Sequence, residues 1–89
     1  MKKYLVDWDV WNTQSQSYET EGLSDFAYAE SKEEAIDLMM DFIVDYRDEW
    51  NVYRDGDVLK LHHEWYNRYE DRIVEKDLEY RNFRVHLTE

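Results

Sequence analysis

Cysteine is absent from these 89 residues, so there is no disulfide framework, no thiolate nucleophile and no cysteine zinc site. Proline is absent too. The two glycines, Gly22 and Gly56, are too few and too far apart for a glycine-rich phosphate loop or a G-x-S-x-G nucleophile elbow. No serine stands in a context that would activate it, so catalysis is not expected. No apolar run is long enough to cross a bilayer, and no signal-peptide core follows Lys2 and Lys3. Bases are scarce: 11 Lys and Arg stand against 22 Asp and Glu, for a net charge of −11. Such a chain repels DNA, RNA and anionic membranes and attracts a basic partner. The expectation is one soluble, cytoplasmic, cofactor-free domain over residues 1–89, without enzymatic activity.

What the chain does have is aromatic residues, at 17%, and an uneven charge distribution. Each large ring buries much apolar area, which helps a core that is thin at this length. Residues 1–30 carry −4, residues 31–50 carry −5 and residues 57–89 only −2.

The segment from Ser31 to Trp50 predicts one amphipathic helix. Ser31 and Glu34 have the capping-box spacing, and Glu33 and Glu34 suit the positive end of the helix dipole. At 100° per residue, Ala35, Leu38, Met39, Phe42, Ile43, Tyr46 and Trp50 gather on an apolar side. Glu34, Asp37, Asp41, Asp45 and Asp48 gather opposite, each the helical neighbour of the next. A solvated helix face usually mixes both signs, because like-charge neighbours cost a few tenths of a kcal/mol per pair. A row with no cation inside it, rising about 21 Å at 1.5 Å per residue, is therefore the candidate binding surface.

Residues 3–11 alternate with period two and predict a strand with Tyr4, Val6, Trp8 and Val10 inward. Leu5, Asp7, Asp9 and Trp11 take the outer face. Residues 12–22 read as a mobile polar loop or, alternatively, as an extension of a longer hairpin. Residues 23–30 predict a second strand with Ala27 and Ala29 beneath a helix and Phe26 and Tyr28 on the other face. Asp55-Gly56 marks a turn. Residues 58–73 predict a second helix, because Val58, Leu59, Leu61, His62, Trp65, Tyr66, Tyr69 and Ile73 converge at helical spacing. Residues 74–81 are ambiguous, and residues 82–88 alternate as a strand with Phe83, Val85 and Leu87 inward. The fold class expected is α+β, with a three-stranded antiparallel sheet and two helices on one face in the order β-β-α-α-β. The alternative replaces the second helix with a further hairpin.

Metal motifs fail at this level. His62 and His63, adjacent on a helix, would point 100° apart, the H-E-x-x-H spacing is absent, and His62 falls among the core positions. Counting Gly56 as the sixth position of an EF-hand loop puts Tyr53 and His62 where oxygen ligands are needed. Asp7 and Asp9 have no further ligands nearby in sequence. No metal and no cofactor are expected.

In size and composition the chain resembles the small acidic DNA-mimic proteins of phages and mobile elements that block restriction or CRISPR enzymes. That resemblance implies an inhibitor or decoy for a basic nucleic-acid-binding protein. Glu34, Asp37, Asp41, Asp45 and Asp48 would occupy phosphate-binding sites, with Asp7, Asp9, Glu19, Glu21 and Asp25 extending the field. Trp11, Tyr18 and Tyr28 would supply aromatic anchors. The alternative is a self-associating interaction module, a homodimer through an uncovered sheet face, whose acidity serves only solubility.

Overall fold

The computed structural model describes residues 1–88. Alternating side chains draw residues Lys2–Asn12 into strand β1, and Tyr4, Val6, Trp8 and Val10 are buried on one of its faces as their spacing requires. The polar stretch that follows is mostly strand and not loop. β2 runs Ser17–Ala29 and leaves a four-residue turn between itself and β1. The Asn12 side chain holds that turn by accepting from the backbone N–H groups of Gln14 and Ser15, and Gln16 closes it at φ 52°.

Helix α1, Lys32–Tyr46, begins as its sequence predicts, with the Ser31 hydroxyl accepting from Glu34 N–H at 3.2 Å. It ends earlier than Trp50. Arg47 is the C-cap, so Asp48 and Trp50 lie beyond the helix. Its buried residues are Ala35, Met39, Met40 and Ile43. The expected apolar side is therefore rotated: Met40 goes inward, while Leu38, Phe42 and Tyr46 stay exposed at 41%, 53% and 70%.

The expected second helix does not form, and the three-stranded sheet with two helices is incorrect. The chain instead makes β3 (Asn51–Asp55), β4 (Val58–Asn67) and β5 (Arg72–Leu87), giving one antiparallel five-stranded sheet in the order β2-β1-β5-β4-β3. A two-residue turn at Gly56, φ 61°, joins β3 to β4. The β4–β5 turn repeats the device of the first hairpin: Asn67 accepts from Tyr69 and Glu70 N–H, and Asp71 closes at φ 51°.

Residues 58–67 satisfy a helical period and a strand period at once. Leu59 and Leu61 share the buried face, while Lys60, His62 and Glu64 share the other. Past His63 the hairpin outruns α1 and both its faces meet solvent. Trp65 and Tyr66 can then be apolar on opposite sides, which broke the alternation in the sequence. That overhang makes the molecule 52 Å long against 23 and 21 Å.

α1 packs on one face of the sheet, over β2, β1 and β5, and the core lies between. Val6, Ala29 and Leu59 floor it, with Leu78 and Tyr80 of the formerly ambiguous segment beside them. Among the described residues, no second layer covers the opposite sheet face. No helix among the described residues is long and apolar enough to cross a membrane.

Candidate functional site

The helix places its carboxylates away from the core. Asp37, Asp41 and Asp45 are exposed and Glu34 is half-buried, all on the side opposite Met39, Met40 and Ile43. Asp48 is exposed in the turn after the C-cap, near the same end but off the helical row. Among the described residues, only Asp37 of these five forms an ion pair, with Arg54 of β3 at 2.6 Å. Glu34, Asp41 and Asp45 remain unneutralised over about 16 Å of helix at 1.5 Å per residue.

Beside this row, Leu38, Phe42 and Tyr46 form an apolar stripe facing the β2 edge, with Phe42 and Tyr46 stacked at 6.2 Å. Sequence reasoning placed these three in the core. The signal that separates them is Met40, whose burial turns the helix toward the sheet and the stripe toward solvent. A cleft of about 310 Å³ runs between Phe42 and Tyr46 on one side and Leu23, Ser24 and Asp25 of β2 on the other. A second, of about 190 Å³, lies by Leu38, Phe26 and Tyr28. β2 is an edge strand, so its outer backbone is unpaired along this groove. Exposed Glu21 and Asp25 belong to that edge.

Asp7 and Asp9 belong elsewhere. They lie on the uncovered face, where Arg84 of β5 spans them: its Nε is 3.3 Å from Asp7, and its two terminal nitrogens are 3.1 and 3.2 Å from the two oxygens of Asp9. His86 adds a contact to Asp7 at 3.4 Å. Asp9 is only 7% exposed, because irregular register in both neighbouring pairings folds the strand around it. It also accepts from Asn82 and from Gly22 N–H. The bonds from Arg84 and then Asn82 outweigh burial and hold the Asp9 carboxyl far below the usual carboxylate range.

Trp11 and Tyr18 pack edge to face on the same side, with Arg81 over the indole at 4.5 Å. Tyr28 is exposed near the opposite end of β2. Glu19 is not free either. Burial pushes its carboxyl upward, but bonds from Asn12 and Lys76 prevail and lower it. The structure thus leaves Glu34, Asp41 and Asp45 unneutralised on the helix and sets Asp25 of β2 across the cleft from Phe42 and Tyr46, with Glu21 exposed further along that strand. It assigns Asp7, Asp9 and Glu19 to internal pairs.

His62 is not a helical core residue. On β4 it lies on the uncovered face, with His63 on the other, where His63 stacks between Trp50 and Trp65. The His62 ring bonds Asp77 through Nδ1 at 2.6 Å and approaches Glu64 through Nε2 at 3.3 Å. Asp77 first and Glu64 second raise its pKa above the ordinary imidazole value. Comparison with protein-family models, curated proteins and solved structures returns no match to this chain.

Proposed function

We propose that this chain is a non-enzymatic interaction protein whose helix side receives a basic partner, and that the partner is a cytoplasmic nucleic-acid-binding protein held off its substrate by a decoy of the DNA-mimic kind. The observation that carries this reading is the juxtaposition on α1 of unneutralised carboxylates with the exposed stripe Leu38, Phe42 and Tyr46. Charge supplies steering and register, and a desolvated aromatic contact supplies the affinity that exposed ion pairs lack. Glu34 to Asp45 covers about five phosphate steps at 3.4 Å per step of one strand. The stripe is what plain solubility would not require, since contiguous exposed apolar patches mark contact surfaces.

The test is capture from host lysate on immobilised protein, with three baits: wild type, Asp41→Asn with Asp45→Asn, and Leu38→Ser with Phe42→Ser. Both variants should lose the partner while keeping the wild-type circular dichroism spectrum. Duplex DNA and about 0.5 M salt should release it from wild type. Equal capture by all three baits removes the helix side from the mechanism. A salt-insensitive homodimer with no basic partner captured would favour self-association instead.

A further inference from the structure

On the uncovered sheet face, acids and bases oppose one another in register. Asp7 faces Arg84, Asp9 faces Arg81, Lys60 faces Glu79 and His62 faces Asp77. One position breaks the pattern. Glu64 of β4 stands directly opposite Glu75 of β5, and like charges so placed repel. Two residues along the ladder, at the next pair on this face, His62 turns its ring toward them. One ligand atom from each of His62, Glu64 and Glu75 lies within 4.8 Å of the other two.

We propose that His62, Glu64 and Glu75 hold a divalent transition-metal ion, Zn²⁺ by preference, at the root of the overhanging β4–β5 hairpin. Three features fit that ion. The His62 Nε2 to Glu64 oxygen separation of 3.3 Å matches the edge of a tetrahedron with ligand bonds of about 2.0–2.1 Å. The other ring nitrogen, Nδ1, donates to Asp77 at 2.6 Å, which leaves Nε2, facing Glu64, as the ligand atom once the incoming ion displaces its proton to solvent. Gln14 in turn donates to the second Asp77 oxygen at 3.3 Å, so the orienting carboxylate is itself held. Two carboxylates and a neutral imidazole balance a charge of +2 and remove the repulsion between Glu64 and Glu75. The nitrogen ligand and the small ligand number select a transition metal over Mg²⁺ or Ca²⁺, which need about six oxygens. The site owes nothing to the helix side, and its failure leaves the proposed function standing.

The experiment is titration of the full chain, stripped with chelator, with Zn²⁺ alone, read by calorimetry and native mass spectrometry. One equivalent should bind. Glu75→Gln and His62→Ala should each weaken binding at least 100-fold, and Asp77→Asn, a positioning change, about 10–100-fold with the stoichiometry kept. Asp41→Asn with Asp45→Asn should bind as wild type does, and Mg²⁺ should not compete. Co²⁺ in place of Zn²⁺ supplies a visible spectrum that His62→Ala should alter and Asp41→Asn should not. Glu75→Gln, nearly isosteric, keeps the test decisive if His62→Ala fails to fold. Absence of stoichiometric zinc overturns the site, as does equal binding by wild type and Glu75→Gln. So does binding that follows the helix acids instead of His62.

Discussion

Carboxylates sit on both layers of this molecule in opposite electrostatic circumstances. On the uncovered face of the sheet, Asp7, Asp9 and Asp77 each meet an arginine or histidine across a strand boundary, and Asp9 is buried while ionised. On α1, Glu34, Asp41 and Asp45 meet water and one another. The first set is held in place by partners, and removing a member leaves a base unpaired. Asp41 and Asp45 have nothing to lose but repulsion, while Glu34, in the first turn, also gains from the helix dipole. The sheet acids are therefore part of the fold, whereas the helix acids are surplus to it. That surplus, set against an apolar stripe, is why the helix side carries the functional proposal.

The contrast depends first on how the helix is rotated, and the largest effect is expected there. Met40 is 1% exposed and sits under the helix where the sequence pattern put no core residue. Met40→Ala should cost about 2–4 kcal/mol in chemical denaturation. Phe42→Ala, at a larger but exposed residue, should cost well under half of that. Reversed magnitudes would mean that Phe42 packs inward, and the apolar stripe beside the acids would vanish with it.

Next comes the sheet lattice. Asp9→Asn should cost about 2 kcal/mol near pH 7, since it removes the ionised acceptor for Arg84 and Asn82. The pH dependence gives the attribution a sign. Because the folded-state pKa of Asp9 is depressed, its contribution is fully present above the unfolded value of about 3.9 and fades as pH falls below it. The gap between the denaturation midpoints of wild type and Asp9→Asn should hold steady down to about pH 4 and then narrow progressively as pH falls toward the depressed folded-state value. A gap that does not narrow at all between about pH 4 and about pH 2 would assign the loss to shape and not to charge. Gly22 supplies the remaining backbone donor at φ 76°, with open space where a Cβ would go. Gly22→Ala should cost only about 1 kcal/mol, the conformational penalty alone.

The two regions also differed in how much could be read without coordinates. β1 was legible because it lies squarely beneath the helix, where one face must be apolar and the other polar. The start of α1 was legible because a cap is a local contact between Ser31 and Glu34. The β4–β5 hairpin was not. Its eight apolar and aromatic positions fit a helical period by coincidence, and its overhang relaxes the alternation that marks a half-buried strand. Its turn also takes its left-handed residue from Asp71 instead of glycine. The same error hid the His62, Glu64 and Glu75 cluster. Two of its members are neighbours only through the pairing of β4 with β5, which a helix over that segment denies. The helix acids needed no pairing to be found, but which of them are free did. Arg54 neutralises Asp37 from a strand that sequence spacing gave no reason to place there.

The smallest effect is the sharpest test of the contrast, because it has the opposite sign. Asp41 has like-charged helical neighbours at Asp37 and Asp45, one turn away on either side. Each such pair costs a few tenths of a kcal/mol. Changing Asp41 and Asp45 to Asn together should therefore leave stability unchanged or raise it by about 0.5 kcal/mol. The gain should be larger near 0.01 M ionic strength, where the Debye length is about 30 Å, and should shrink in about 1 M salt. Paired denaturation curves at the two salt concentrations measure it. Loss of more than about 1 kcal/mol would mean that these carboxylates support the fold as Asp9 does. Their availability to a basic partner would then have no basis, because a group already committed to the protein's own structure is not free to imitate a phosphate.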